Sequence, residues 1–600
     1  MIFTGILQIL LRKIKNNSFY STSMQKLIYM AVSALYLPGG VLAQKSQKRI
    51  NKPNIIWITC EDISPYMSTY GADVVRTPNI DQLAREGIQF QNVYTTAGVS
   101  APSRSCIITG MYPTSIGTQH MRTKVLNRTT AAKLDHPSYS AVIPEYVKCF
   151  SEYLRMAGYY ATNCMKEDYQ FDAPVTVWDE SSAAASYRNR PAGMPFFAVF
   201  NHFITHESQL FEESYLFKEH PELLVHENQI KTLPPYYKNT RTARECMARM
   251  LSNVQLLDHQ IGELIQQLKA DGVYDSSYIF FFSDHGGTMP WMKREVLERG
   301  THIPFIVKFP KGVHAGEKNN DLISAVDFAP TMLSLAGIKI PAYMQGQAFL
   351  GSQASEVKRR YVFAARDRMD ECTDRVRSVR DKRYRYIYNF MPDLPKYQPI
   401  SYRETLPMMR EMLQLHKEGS LNEVQDNWFA PTKPQEELYD IVNDPDEIHN
   451  LADNPAYKDK LVELRKAFRT WLNQVGDMSY MPEKDMVANW WMGENHEPLT
   501  AEPVLTKVKG GVKLSCATKG ASIGYKILKD GQDDKPIVRK SCDHDMFQVT
   551  RHKANGTEVE VSSPWTVYQQ GQVIPLKHGC HLLVNATRIG YTPAVSIFEL

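Results

Sequence analysis

Apolar runs of strand length alternate with helical patterns over the first half of the chain. One run is Asn54–Cys60, and others follow at Pro195–Phe203, Tyr278–Ser283 and Ile303–Pro310. Nearly every position in these runs is apolar, which is typical of strands that are covered on both faces. A long helical pattern from about Thr240 to Leu268 separates two of the runs. We therefore expect an α/β domain in which helices cover both faces of one sheet.

The pattern changes after about residue 355, where short strand-like segments rich in Arg and Tyr replace the long apolar runs. An amphipathic helix follows at Tyr457–Gly476. Beyond about residue 498, short strands alternate with Gly and Asp turns, which predicts a separate β-sandwich. We assign the α/β domain to residues 53–355, a small antiparallel-sheet subdomain to 356–495 and an accessory β-sandwich to 500–600.

The pattern of residues 1–43 predicts an N-terminal extension followed by an export signal. From Met24, a basic start at Lys26 leads into an apolar core and then into small residues that end at Ala43. The apolar run is shorter than the roughly 20 residues of a membrane-spanning helix, so we expect no stable membrane insertion. The sequence predicts cleavage between Ala43 and Gln44 and an exported protein, in the periplasm or on the surface of a bacterium.

Composition excludes several classes of function. The formal net charge of +4 is small for 600 residues, so nucleic acid is not an expected partner. The nine cysteines are scattered and form no CxxC pair, which does not fit a disulfide scaffold. The remaining expectation is a soluble globular protein whose chemistry lies in its polar side chains.

Polar groups follow two of the predicted strands directly. Glu61 and Asp62 come after the first run, and Asp284 and His285 come after Tyr278–Ser283. Ligands of open α/β sheets bind beyond the carboxyl ends of the strands. Three carboxylates and an imidazole suit a divalent cation, with Ca²⁺ or Mg²⁺ favoured by the oxygen-rich set. The alternative is that the acidic residues cap the helices that follow them.

A second group of residues suits an anionic ligand. Ser100 and Arg104 stand at the start of a predicted helix, where free backbone N–H groups favour an anion. Lys166 follows a short predicted strand around Tyr159–Thr162, His206 follows the run Pro195–Phe203, and Lys293 lies in the loop after Asp284. Cations around a metal and a nucleophile suit the transfer of a tetrahedral oxyanion group, whereas each lysine alone would be read as a solvated surface residue.

The segment from Ser100 to Gly110, SAPSRSCIITG, resembles the sulfatase motif, in which Cys or Ser is followed by x-Pro-Ser-Arg and a helix that ends in Leu-Thr-Gly. The resemblance extends over residues 53–475 and includes EELYDIVNDPDEIHNLA at Glu436–Ala452. It implies a type I sulfatase with an alkaline-phosphatase-like mixed sheet flanked by helices and a small C-terminal subdomain. The Arg-rich region resembles the sulfamidase-like branch.

The resemblance also implies how the site works. Ser100 would be converted to formylglycine by a radical-SAM maturating enzyme, and its hydrate would be the nucleophile. The implied calcium ligands are Glu61, Asp62, Asp284, His285 and the group made from Ser100. Arg104 would hold the formylglycine, and Lys166, His206 and Lys293 would surround the sulfate, with His206 a candidate acid for the leaving oxygen.

Three positions depart from the family pattern. Glu61 stands where Asp is usual, and His285 stands where Asn is usual. The Lys-x-His of the family is Lys166-Glu167-Asp168, so Asp168 takes the place of the histidine that acts as a base. The identity of the base is therefore the open point of the predicted mechanism.

The predicted substrate is a sulfated oligosaccharide with a glycosaminoglycan-type O- or N-sulfate. Arg366, Arg368, Arg375 and His302 are candidate contacts for a uronate or for further sulfates. The alternative for the arginines is alternating solvent-facing positions on a small sheet. Two other functions stay open: a phosphoester or phosphonoester hydrolase of the same fold, and a non-catalytic glycan-binding relative in which Ser100 is unmodified.

Overall fold

The computed structural model describes residues 52–124, 128–529, 531–540, 558–575 and 578–599. The predicted export signal and its cleavage site lie outside these residues. In the described ranges, no helix combines the length and the apolarity that crossing a membrane requires.

The main sheet contains eight strands, and seven of them run in one direction. The strands are β1 (Asn54–Cys60), β2 (Gly87–Tyr94), β3 (Tyr160–Cys164), β4 (Glu180–Ser181), β5 (Phe196–His202), β6 (Ser277–Ser283), β7 (Phe305–Lys308) and β8 (Glu317–Ser324). Their order across the sheet is β4-β3-β5-β1-β6-β7-β2-β8. The exception in direction is β7, which is antiparallel to both β6 and β2. The mixed sheet that the sequence predicts is therefore confirmed.

Helices cover both faces of this sheet because alternate residues of each strand point to opposite sides. Ile56 and Ile58 of β1 pack into one apolar core, and Ile55 and Trp57 pack into the other. The helices of the described residues are α1 (Pro78–Arg85), α2 (Ser100–Thr109), α3 (Pro113–Ile116), α4 (Arg128–Lys133), α5 (Phe150–Met156), α6 (Arg241–Ala270), α7 (Glu298–Thr301), α8 (Phe328–Leu335), α9 (Pro407–Lys417), α10 (Glu423–Asp426), α11 (Lys458–Val475) and α12 (Glu483–Trp490).

A second, antiparallel sheet follows the main one. It consists of β9 (Val362–Arg366), β10 (Val376–Arg380), β11 (Tyr384–Asn389) and β12 (Glu436–Asp440), in the order β12-β11-β10-β9. The apolar face of α11 packs on this sheet through Leu464, Phe468 and Trp471. The amphipathic helix and the short strands predicted after residue 355 are thus present.

The distal region is built from antiparallel strands, as predicted. They are β13 (Val504–Val508), β14 (Gly511–Ser515), β15 (Ser522–Lys529), β16 (Ile537–Lys540), β17 (Glu558–Val561), β18 (Thr566–Val567), β19 (Cys580–Thr587) and β20 (Ala594–Glu599). Four of them form the sheet β18-β15-β19-β20, and the others form two pairs. Ser522 at the start of β15 donates a hydrogen bond to the buried Glu152 of α5 (2.6 Å), so the distal sheet is joined to the α/β part through polar contacts.

Candidate active site

The predicted polar groups meet at one edge of the main sheet. The parallel strands β3, β5, β1 and β6 are neighbours in that order, so their carboxyl ends lie side by side. The residues that follow these strands are Lys166 and Asp168 after β3, His206 after β5, Glu61 and Asp62 after β1, and Asp284 and His285 after β6. This is the edge at which open α/β sheets bind their ligands.

Ser100 is the first residue of α2 and lies beside this edge. All ten residues of α2 are buried, and the side chain of Ser103 donates a hydrogen bond to the backbone carbonyl of Asp284 (2.5 Å). This contact fixes the start of the helix over the end of β6. The Ser100 Oγ then lies 3.2 Å from His285 Nε2.

Arg104 lies one turn further along α2 and connects three strand ends. Its Nε donates to Asp284 Oδ2 (3.1 Å), its Nη1 to Asn201 Oδ1 (3.0 Å) and its Nη2 to Glu61 Oε1 (3.2 Å). Sequence reasoning missed Asn201, although an amide inside the apolar run Phe196–His202 was a signal. The buried guanidinium thus orients both carboxylates toward the space in front of Ser100.

Two lysines balance the remaining negative charge of the cluster. The Lys166 ammonium lies 3.1 Å from Glu61 Oε1, and the Lys293 ammonium contacts Asp62 Oδ2. Both lysine side chains are largely buried, as a charge at this depth requires when it is paired. The structure therefore brings together the cations and the carboxylates that the sequence predicts.

The carboxylates differ in how their surroundings affect ionisation. Burial raises the pKa of Glu61 and outweighs the opposing charges of Lys166 and Arg104. Burial also acts to raise the pKa of Asp62, but the Lys293 ammonium beside it holds that pKa well below the ordinary range. Asp62 is thus the more strongly ionised member of this neighbouring pair.

The donor set fits a divalent cation. The His285 Nδ1–H donates to the Gly286 carbonyl (2.9 Å), so a neutral ring presents a lone pair at Nε2. That atom lies 2.9 Å from Asp62 Oδ1, a buried oxygen that accepts no hydrogen bond from the described residues. Two such lone pairs need a cation between them. The ligand atoms lie within 4.8 Å of one another in each of two groups, Glu61–Asp62–His206 and Asp62–Asp284–His285.

The contacts of His206 fit a hydrogen-bond donor better than a metal ligand. The backbone N–H of Ser208 donates to His206 Nδ1 (3.2 Å), so the proton of a neutral ring is on Nε2. Burial and the Lys293 charge hold the pKa of His206 well below its ordinary value. The Nε2–H lies 3.9 Å from Glu61 Oε2, at the inner wall of the site.

Asp168 lies at the outer part of the site, between two cations. Its Oδ2 is 3.7 Å from the Lys166 ammonium, and its Oδ1 is 3.8 Å from Arg122 Nη1. The sequence indicated Asp168 but not Arg122, which belongs to a different segment of the chain.

Glu207 is a further residue that sequence reasoning missed. Its backbone N–H donates to Asp62 Oδ2 (2.7 Å), and its carboxylate binds both terminal nitrogens of Arg294 at 2.9 Å. Glu207 also lies 3.6 Å from the Lys293 ammonium. It therefore positions one carboxylate of the candidate metal site and one cation beside it. The signal was its place directly after His206.

Comparison with known proteins decides the family. Residues 53–338 match the model of the Sulfatase family, and residues 286–430 match the model of the N-sulphoglucosamine sulphohydrolase C-terminal region. The chain is 42% identical over 576 residues to an ulvan-active sulfatase of Formosa agariphila, with 91% of each chain covered. This chain belongs to the sulfatase family.

More distant relatives agree with this family. Human N-sulphoglucosamine sulphohydrolase is 23% identical, with 70% of this chain and 90% of the human protein covered. The yidJ protein of Bacteroides fragilis has the same fold, with a TM-score of 0.53 over 75% of this sulfatase and 100% of that chain, at 20% identity. The predicted family, the alkaline-phosphatase-like fold and the sulfuric ester hydrolase class are thus confirmed.

Two of the arginines predicted to contact substrate are buried in this sulfatase. Arg366 Nη1 lies 3.0 Å from Glu295 Oε2, and Arg368 Nη2 donates to Glu483 Oε1 (2.7 Å). Arg366 and Arg368 are 3% and 1% exposed. Their hydrogen bonds and ion pairs with the described residues are internal to the protein.

Of the other two predicted contacts, Arg375 directly precedes β10 of the small sheet, and His302 directly follows α7 and forms a bridge with Tyr94 of β2. Arg375 donates to the Ser479 carbonyl (3.0 Å), and its guanidinium stacks over the Phe390 ring. His302 donates from Nε2 to the Gln91 carbonyl (2.8 Å). The structure groups neither residue with the Ser100 site, so their predicted role stays a prediction.

Proposed function

We propose that this sulfatase removes sulfate groups from a sulfated carbohydrate by way of a formylglycine made from Ser100. One observation carries the proposal: Ser100 begins a buried helix and faces three carboxylates, two lysines and a histidine at the carboxyl edge of the sheet. The relative from Formosa agariphila is named an ulvan-active sulfatase, and two other relatives are named N-acetylglucosamine-6-O-sulfatase and N-sulphoglucosamine sulphohydrolase. Their names support a sulfated glycan as substrate.

The donor set supports Ca²⁺, or Mg²⁺, as the metal. Glu61, Asp62, Asp284 and His285 would hold the ion, and a bound ion would draw electron density from a sulfate oxygen. A formylglycine hydrate would supply a nucleophilic oxygen and a second oxygen whose electrons expel the sulfate. A radical-SAM maturating enzyme is the implied partner that modifies Ser100.

The chain's own residues would stabilise charge and move protons. The ammonium groups of Lys166 and Lys293 would neutralise the sulfate oxygens, and Arg104 would keep the carboxylates in place. His206 carries its proton on Nε2, and this N–H would donate a hydrogen bond that stabilises the leaving oxygen. Asp168, which stands at the position of the family's histidine, is the candidate proton acceptor.

Mass spectrometry of the peptide that contains Ser100 tests the proposal. Protein produced with a maturating enzyme should carry a residue two hydrogens lighter than serine, and it should hydrolyse sulfate esters. A Ser100→Ala variant is the matched control and should show neither property. Unmodified Ser100 in protein from its native cells would instead support a non-catalytic glycan-binding relative.

A substrate panel separates the remaining alternatives. Ulvan oligosaccharides and N- and O-sulfated glycosaminoglycan disaccharides should be desulfated faster than the corresponding phosphate esters. Faster turnover of a phosphate ester or phosphonate ester than of every sulfate would favour the second hydrolase class.

Export to the periplasm or cell surface belongs to the same proposal. Polymeric sulfated glycans are too large to enter a cell intact, so their degradation begins outside the cytoplasm. We place the catalytic part at residues 53–355 and 356–495, and we propose that residues 500–600 serve as an accessory module. Fractionation of the native cells, followed by detection of the mature N-terminus after Ala43, tests this localisation.

A further inference from the structure

Arg122 presents a guanidinium at the outer part of the site. Its Nη1 lies 3.8 Å from Asp168 Oδ1, and its side chain is 39% exposed. Its positive charge also contributes, after burial and the two lysines, to the low pKa of His206. Arg122 therefore lies beside the sulfate-binding cations and is accessible from outside.

The backbone around Arg122 is held by a buried network. Arg122 has φ 61, in the left-handed region that non-glycine residues rarely adopt. The Met121 N–H donates to the Arg368 carbonyl (2.9 Å), and Arg368 Nη1 donates back to the Met121 carbonyl (2.7 Å). Glu483 in turn binds the Arg368 guanidinium. Uncommon backbone conformations persist where surrounding contacts fix them, and they are frequent at ligand sites.

The Arg122 side chain differs from the neighbouring cations in its contacts. Arg294 forms two hydrogen bonds with Glu207, and Lys124 pairs with Asp172. Within the described part of the chain, the Arg122 guanidinium has no hydrogen bond, and its ion pair is the long contact to Asp168. Most of its five N–H donors are therefore available to a ligand.

The available donors suit an anion other than the sulfate that is cleaved. Lys166, His206 and Lys293 already surround the space in front of Ser100. Arg122 and Lys166 each lie beside a different oxygen of Asp168, at 3.8 Å and 3.7 Å, so Arg122 borders the group of cations around that space. A guanidinium binds carboxylate or sulfate oxygens through two parallel hydrogen bonds.

We propose that Arg122 binds a second anionic group of the substrate and selects glycans that carry it. This inference rests on the proposed function and narrows its substrate class. The shared chemistry is a planar or tetrahedral oxyanion on the same sugar or the next one, either the carboxylate of a uronate or another sulfate ester.

Kinetics on matched substrates test the role of Arg122. The substrates are a sulfated disaccharide with a uronate, its carboxyl-reduced form, a disulfated disaccharide without a uronate, and a simple aryl sulfate. Arg122→Gln should lower kcat/KM on the substrate with the recognised anion by about 10- to 100-fold, chiefly through KM, because charged hydrogen bonds are lost. The loss should exceed that on the aryl sulfate at least tenfold.

The panel also distinguishes the two sources of the anion. A uronate is the recognised group if carboxyl reduction removes the effect of Arg122→Gln, and a second sulfate is recognised if the disulfated substrate alone shows the effect. Lys124→Gln is the matched control, because Lys124 is in the same loop and is 37% exposed but is paired with Asp172. An equal loss on every substrate, or an equal effect of Lys124→Gln, would overturn the inference.

Calorimetry separates failure of this inference from failure of the proposed function. In a Ser100→Ala background, Arg122→Gln should weaken binding of the anionic disaccharides by a similar factor. Unchanged affinity overturns the role of Arg122 even if the enzyme is an active sulfatase. If the mature wild-type protein hydrolyses no sulfate ester, the proposed function fails, and the binding measurement still decides whether Arg122 recognises the second anion.

Discussion

At the scale of single residues, the site is a balance of buried charges. Glu61, Asp62 and Asp284 repel one another, and Arg104 and two lysines offset that repulsion. A divalent cation bound between the carboxylates would attract all three of them directly. Metal binding and folding stability would then be linked in this protein.

Removal of the metal should lower thermal stability. At a free Ca²⁺ concentration of 100 times Kd, binding stabilises a fold by about 2.7 kcal/mol, so EGTA should lower Tm and added Ca²⁺ should restore it. Asp284→Asn should abolish most of this shift together with sulfatase activity, whereas Glu212→Gln at an exposed position should keep both. Thermal unfolding with and without Ca²⁺ or Mg²⁺ is the measurement. An undiminished shift in Asp284→Asn would contradict this ligand assignment.

The sequence predicted those residues that stand directly after apolar strands or inside the Ser-x-Pro-Ser-Arg motif. It did not indicate Asn201, Glu207 or Arg122, because their roles depend on which strand ends become neighbours in the sheet. The order β3-β5-β1-β6 is a long-range property that no local pattern contains. Conversely, the Arg and Tyr content of the second sheet did not reveal that Arg366 and Arg368 are buried.

At the scale of elements, α12 is joined to the two segments that flank α4 by a buried ionic cluster. Glu483 accepts hydrogen bonds from Tyr139 (2.7 Å) and Arg368, and His120 Nδ1 lies 3.8 Å from it. Burial lowers the pKa of His120 to about 4 and outweighs the attraction of Glu483. The folded protein therefore keeps His120 neutral over a pH range in which the unfolded chain binds a proton there.

The stability of the folded protein should decrease as the pH is lowered across this range. Below pH 6.5, the pKa of histidine in the unfolded chain, the unfolded chain gains a proton that the folded protein takes up only near pH 4. His120 should therefore lower the free energy of unfolding by about 3 kcal/mol at the acidic end of this range. His120→Gln should flatten the dependence, and His314→Gln at an exposed position should retain the wild-type slope. Urea unfolding between pH 7.5 and 4.5 measures it. Parallel slopes for wild type and His120→Gln would refute the prediction.

Element boundaries followed from the sequence where one physical signal dominated. The run Asn54–Cys60 is apolar almost throughout and is β1 to the residue. The strand β2 was not predicted, because Gln89, Gln91 and Asn92 interrupt its apolar pattern. Gln89 is nevertheless buried, because its side chain donates to the Thr69 carbonyl (2.9 Å), a tertiary contact that the local sequence does not reveal.

At the scale of the whole molecule, the distal sheet packs tightly against the α/β part. A side chain at Gly590 would place its Cβ 2.6 Å from Val142 Cα, and Arg588 donates to the Ile143 carbonyl at the same place. The α/β segment that it contacts leads through α5 into β3 and so to Lys166. The distal region thus supports one strand of the active site.

A pair of glycine variants isolates this docking contact. Gly590 and Gly571 have nearly equal φ values of +84° and +83°, but no atom lies within 4 Å of a Cβ at Gly571. Both Ala variants should therefore lose about 1–2 kcal/mol to left-handed strain, and Gly590→Ala should lose about 1–3 kcal/mol more through the clash. Denaturant unfolding compares the two. Equal losses of stability in the two variants would mean that the contact between Gly590 and Val142 can yield without cost, and would contradict tight docking of the distal sheet.

The burial of α2 sets an order of events for the proposed modification. Ser100 is 2% exposed in the folded protein, and the helix that follows it is packed on every side. A second enzyme could not bind such a segment in its own active site, so the proposed oxidation would have to reach Ser100 while the chain is still unfolded. Modification and folding would then compete in time, and the fraction of modified molecules would be fixed once folding is complete.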